Sequence, residues 1–189
     1  MSAAPVVTLD APEDPVPLPG GPRATAQQHD VIGSVGPITA LLWDLDNVTT
    51  KWRHLPELVA VLGEFAGPHA PKIAAGRRST ARRWAPLLNE CGFETHSGGR
   101  SKSGADRQLL VRARQLHRSG VHRFLLASND GDLARVAKLG ELHVVTLDRR
   151  HVSQRLVGCA SSIVVLRPIP ALAHPESAAW TLGDVTPHA

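Results

Sequence analysis

Apolar and polar positions along this chain fall into blocks whose spacing switches repeatedly between strand and helix. Ile38 to Trp43 is a strand-length run, uninterrupted from Ala40 to Trp43, and reads as a strand buried on both faces. Pro56 to Phe65 sets Leu58, Val61, Leu62 and Phe65 on one helical face, with Pro56 suited to a first turn and Gly67-Pro68 to a stop. Lys72 to Gly76 follows as a short strand. Arg77 to Asn89 has helical spacing, with Trp84, Leu87 and Leu88 inward and arginines outward; Pro86 predicts a kink or break there. Phe93 to His96 is a third strand, and Ser97 to Gly104 a Gly/Ser-rich basic loop. Ala105 to His117 is a third helix, and Arg123 to Ala127 a fourth strand. A helix through Leu139, a strand over Leu142 to Leu147, a short helix at Val152 to Leu156 and an apolar stretch at Ser162 to Leu166 complete the pattern.

Strands alternating with helices at crossover lengths predict an α/β fold. The expected architecture is a three-layer α/β/α sandwich with a mainly parallel sheet of about five strands. It occupies residues 37–167. Residues 1–36 carry six prolines and no apolar period, and read as a disordered Pro-rich tail; 168–189 reads as a carboxyl-terminal tail.

The polar residues that interrupt this pattern are as informative as the apolar ones. Asp44, Asp46 and Asn47 follow the first strand, Asp106 opens the third helix, and Asp130 and Asp132 follow the fourth strand. In a parallel sheet, strand ends and the starts of the following helices share one edge, where open α/β sheets bind ligands. Asp106 precedes Leu109, Leu110, Ala113, Leu116 and His117 by three, four, seven, ten and eleven residues, so it belongs to the apolar face. A carboxylate there needs compensation. Either a capping box with Ser103 or a bound cation would supply it. Asp130 has a similar structural reading as a helix cap. Carboxylates without His or Cys support select a hard cation, Mg²⁺ or Mn²⁺.

Charge points to the partner. The net charge is +4, but between Arg77 and Arg118 ten Lys and Arg residues face only Glu90, Glu94 and Asp106. A polyanion or a plain solvated helix face both fit that excess. Cys91 and Cys159 are far apart, which argues against a disulfide framework or zinc site and suits a reducing cytoplasm. No apolar run reaches membrane-spanning length, so no membrane role is expected. A second copy of the chain remains open as a partner.

These residues resemble a known family. Asp44-Leu45-Asp46-Asn47 is similar to the Asp-x-x-Asn signature of NYN domains, in the PIN-like ribonuclease superfamily. Lys102-Ser103-Gly104-Ala105-Asp106 resembles their Lys-x-x-x-Asp element, and Ser128-Asn129-Asp130-Gly131-Asp132-Leu133 their Ser-Gly-Asp-x-Asp-Phe element. The resemblance spans about Ile38 to Leu166. It implies RNA hydrolysis with Mg²⁺ or Mn²⁺. Asp44, Asp106, Asp130 and Asp132 would hold metal directly or through water, and Asn47 would orient a water or a carboxylate. Catalytic duty would rest on Asp44, Asn47, Asp106 and Asp130. Lys102, Arg100, Arg107 and Ser128 would serve substrate binding, and Asp46 would have a secondary role. Three departures stand out. Asn129 replaces a Gly, which its tolerance of left-handed backbone would permit. Leu133 replaces an aromatic. Ser161 stands where relatives carry an Asp, so an outer carboxylate would be missing.

Two rival readings stay open. Asp44-Leu45-Asp46-Asn47-Val48-Thr49 also resembles the Asp-x-Asp motif of haloacid-dehalogenase-like phosphatases, though that reading leaves Asp106 unexplained. A non-catalytic RNA-binding domain that keeps the fold and some of the acids is the other.

Overall fold

A computed structural model describes residues 40–101, 103–169 and 179–187. Seven strands form one sheet: β1 (Leu41–Asp44), β2 (Lys72–Gly76), β3 (Phe93–Ser97), β4 (Arg123–Ala127), β5 (Glu141–Thr146), β6 (Ser162–Ile169) and β7 (Ala179–Pro187). Their order is β3-β2-β1-β4-β5-β6-β7. The first six run parallel, and β7 pairs antiparallel with β6. Four α-helices are described: α1 (Leu55–Ala66), α2 (Arg78–Glu90), α3 (Gly104–Arg118) and α4 (Gln154–Val157).

The expected α/β sandwich is therefore present, with more strands than the five expected. Residues 1–39, 170–178 and 188–189 lie outside the described residues, among them the expected start of the first strand at Ile38. Ala179–Pro187 is a correction, because a tail was expected there and a strand is found. Its alternation is hidden by a bulge. Val164 pairs with Val185 but Leu166 with Leu182, so β7 carries one extra residue and its period-two pattern breaks at Gly183-Asp184.

Why the sheet is covered on both sides follows from its strands. Alternate residues of β1 point to opposite faces. Ala40 and Leu42 join Ile73, Ala75, Phe124 and Leu126 in a core packed by Leu109 and Ala113 of α3 and Leu156 of α4. Trp43 points the other way, where its ring meets Trp84 of α2 at 6.2 Å and Phe93 at 5.7 Å. Trp43 Nε1 donates to the Val48 carbonyl at 2.8 Å, so the buried indole keeps its polar atom paired and anchors the loop after β1.

Helix α2 runs without a break across Pro86, where a kink or break was expected. Pro86 and Arg82 are both exposed, so the hydrogen bond that proline forfeits falls on the solvent side. The helix expected through Leu139 is a 3-10 segment, Gly131–Lys138.

The strand order reverses between β1 and β4. From β1 the chain winds outward through β2 to β3, and α3 then carries it back across to β4. The crevice at such a reversal, at the carboxyl ends of the strands, is where doubly wound sheets bind ligands.

Candidate active site

Asp44 is the last residue of β1 and is 1% exposed. Three donors hold it. The Asp46 backbone N–H reaches Oδ1 at 3.1 Å, Ser128 Oγ reaches Oδ2 at 3.1 Å, and Asn47 Nδ2 donates to the same oxygen. Burial raises its carboxyl above 3.8, and the three hydrogen bonds oppose that shift without cancelling it. Ser128, fully buried just after β4, also accepts from the Asp130 N–H at 3.1 Å. One hydroxyl thus ties the end of β1 to the loop after β4, across the strand reversal.

Asp106 sits in the first turn of α3 and is 7% exposed, on the same face as buried Leu109 and Ala113. The capping box is not formed, since the Ser103 side chain makes no cap hydrogen bond. Among the described residues no hydrogen bond to the Asp106 carboxylate offsets its burial. Its pKa is pushed up to about 6, first by desolvation and then by the charges of Asp44, Asp130, Asp132 and Asp46. Those contributions show that the acids converge from separate elements. Asp106 and Asp132 line one cleft of ≈ 230 Å³ with Arg107 and Arg135.

The remaining acids have partners. Asp130 is a cap, as its structural reading foresaw: its Oδ1 accepts from the Asp132 N–H at 2.8 Å at the start of the 3-10 segment. Asp132 is exposed and meets Arg155 at 3.5 Å. Asp46 turns away from Asp44 to the start of α2, accepting from the Arg77 N–H at 2.6 Å and from Thr80 Oγ1 at 2.9 Å. Asp148, just beyond β5 on the same edge, did not stand out in the sequence. Arg150 holds its carboxyl down at about 2, and it does not join the cluster.

Other expectations resolve differently. Lys102 lies outside the described residues. Arg100 and Arg107 are exposed on the site's edge. Asn129 does not use left-handed backbone, which only glycines adopt among the described residues. Its side chain instead accepts from Thr146 Oγ1 at 2.7 Å, fixing the β4 loop to the end of β5. Leu133 is fully buried, as a packing replacement should be. Ser161 precedes β6, and its N–H donates to the Leu142 carbonyl near the start of β5. That is the edge opposite Asp44, so a carboxylate at this position would not reach the acidic cluster.

Can these residues take a hard cation? Among the described residues no three His, Cys, Asp or Glu side chains stand together as a metal-holding group. Mg²⁺, however, usually keeps several waters and uses one or two carboxylates plus substrate phosphates. Asp106, without a donor among the described residues, beside a hydrogen-bonded Asp44 fits that looser demand; among those residues the two form no dedicated all-protein cage.

The fold and edge define a class: a doubly wound α/β domain with carboxylates gathered at its strand reversal. The NYN domain family matches residues 38–166, and the chain belongs to this family, within the PIN-like ribonuclease superfamily. NYN domains are generally ribonucleases, which implies RNA as substrate. No curated protein matches the chain. In the phosphatase alternative Asp46 would be the acid/base; here its oxygens accept from Arg77 and Thr80 at α2. Among the described residues no helix is long and apolar enough to cross a membrane.

Proposed function

We propose that this NYN domain hydrolyses phosphodiester bonds of RNA at the strand reversal, using Mg²⁺ or Mn²⁺. The observation that carries the reading is Asp106, a carboxylate on a largely buried residue that meets no donor among the described residues and is raised to about 6 by burial and four neighbouring acids. Among the described residues nothing offsets the cost of burying that charge, whereas a cation would.

Asp44 and Asp106 would hold the ion, with Asp130 and Asp132 acting directly or through water. Bound there, a divalent ion supplies charge stabilisation at the phosphoryl oxygen and a more acidic water. Asn47 and Ser128 fix the rotamer of Asp44, so that its carboxylate needs little rearrangement when the substrate arrives. Lys102, Arg100 and Arg107 meet substrate phosphates as charge-assisted donors.

The test is cleavage of labelled single-stranded and structured RNA in Mn²⁺, Mg²⁺ or EDTA, with Asp44→Asn and Asp130→Asn alongside. Cutting that needs metal and fails in both variants supports the reading. A second reading, RNA binding without hydrolysis, needs only exposed cations such as Arg100 and Arg107 and no metal. Retained RNA binding with no cutting in any metal would select it.

A further inference from the structure

Beside the acidic edge lies an open cleft of ≈ 510 Å³ lined by Arg77, Arg78, Arg82 and Arg100. Its position follows from backbone contacts. Arg77 and Arg78 follow the carboxyl end of β2, and Arg100 follows that of β3. The Gly99 carbonyl accepts from the Arg78 N–H at 3.2 Å, which seats the β3 loop on α2. Gly98 packs so closely on the start of α3 that a Cβ there would meet the Ala105 nitrogen at 2.2 Å. Asp46, two residues beyond Asp44, binds the Arg77 N–H. The backbone segments that carry the cleft arginines are therefore tied to the loop after Asp44 and to the start of α3, and they follow strands one to two spacings from β1, or about 5–10 Å.

Two features bear on these arginines. The first is the lack of an acidic partner among the described residues, which permits a ligand without singling them out, because Arg107, Arg114 and Arg118 share it. Arg112, Arg123, Arg150 and Arg155 each meet a carboxylate. Among the described residues Arg77, Arg78, Arg82 and Arg100 meet none, and their neighbour Arg83 meets only the ring of Trp52, at 5.2 Å. The second is placement. Arg77 is the cap position of α2 and Arg78 its first residue, with no acid in the first turn. Cations at a helix amino terminus oppose the helix dipole. Helix stability thus disfavours these residues where they stand, and mutual repulsion around one cleft adds to the cost. An anion in the cleft would relieve both, and guanidinium forks match phosphate oxygens two at a time.

We propose that this cleft is a subsite for backbone phosphates of a single RNA strand, flanking the bond at the acidic edge. The proposal rests on the ribonuclease reading for its orientation toward the cut, but the subsite itself is a binding property. It can therefore be tested without cleavage.

The full chain is titrated in EDTA against a fluorescent single-stranded oligoribonucleotide over a range of salt. Variants are Arg78→Glu, Arg82→Glu, and Arg118→Glu at the far end of α3 as a charge-matched control. Arg78→Glu and Arg82→Glu are each expected to weaken binding about tenfold and to lower the salt slope by about 0.7 for each phosphate no longer neutralised. Arg118→Glu should change affinity less than about twofold. Thermal melting guards against misfolding: Arg78→Glu puts an acid in the first turn of α2, so its Tm should equal or exceed wild type. Unchanged affinity and slope in both cleft variants overturn the subsite, as does equal weakening by Arg118→Glu. A Glu-sensitive affinity that depends wholly on a terminal phosphate overturns the backbone assignment. Slope-sensitive binding by a wild type that never cuts leaves the subsite standing and removes the ribonuclease reading. Cutting unaffected by the cleft variants does the reverse.

Discussion

The end of β1 and the first turn of α3 each bury a carboxylate at the same edge, and they treat it in opposite ways. Asp44 receives three donors, from Asp46, Asn47 and Ser128. Asp106 receives none among the described residues, and the serine positioned to cap its helix leaves its side chain out. Both carboxyls are raised by burial, but only at Asp106 do neighbouring acids rank next among the causes, with nothing opposing them. Asp44 is part of how the loops after β1 and β4 are tied together, so folding alone accounts for much of its setting. Asp106 has no such account among the described residues, and the proposed cation would supply one.

This contrast predicts that two equivalent substitutions move activity together and stability apart. Asp44→Asn should lower RNA cleavage about a thousandfold, equivalent to about 4 kcal/mol of transition-state stabilisation. Asp106→Asn should lower it about a hundredfold or more. In metal-free urea unfolding, Asp106→Asn should gain about 1–3 kcal/mol, because an uncompensated buried charge is removed. Asp44→Asn should gain nothing or lose stability, since its amide turns an N–H toward at least one existing donor. Equal stabilisation by the two variants would break the comparison, because hydrogen bonding would then not be what separates the sites.

The pH dependence sharpens the same point. The Asp106 pKa rises from 3.8 to about 6, so between those values the folded protein keeps a proton that the unfolded chain releases. Its contribution to stability therefore falls as pH climbs through that window and levels off above it. The advantage of Asp106→Asn over wild type should widen from about pH 4 to about pH 7 without metal, and shrink when Mn²⁺ is added. An advantage that is flat across pH, measured as urea midpoints, would mean the carboxyl is not raised.

How legible all this was in the sequence depended on whether the signal was local. Lys72–Gly76 and Arg123–Ala127 were readable to the residue because buried runs end there in clear turn chemistry. The Asp106 helix face was readable from its spacing to Leu109 and Ala113. Whether Asp106 or Asp130 would be the one used as a cap was not, because both open a helix in the sequence and only packing decides. Ser161 misled for a related reason. A motif position says which residue aligns, whereas the direction of β6 says which edge it reaches. The arginine excess between Arg77 and Arg118 was visible as composition, but Arg112 finding Glu94 while Arg78 finds no acid among the described residues is a property of the fold. Strand β7 escaped because its bulge breaks the only period it had.

The smallest expected effect tests where the hydrogen-bonded side of the comparison ends. Asp46 adjoins Asp44 in sequence and lends it a backbone N–H, but its own carboxylate serves α2 through Arg77 and Thr80. If Asp46 is a brace, Thr80→Val removes one of its two donors and should lower stability by about 1 kcal/mol. Cleavage should then fall less than about threefold, because the three donors of Asp44 are untouched. The two readouts are urea unfolding and initial rates in Mn²⁺ on the same preparations. A loss of cutting approaching that of Asp44→Asn, at nearly unchanged stability, would move Asp46 from the brace into the reacting site. The pairing of wired Asp44 with bare Asp106 would then describe only half of the acids that matter.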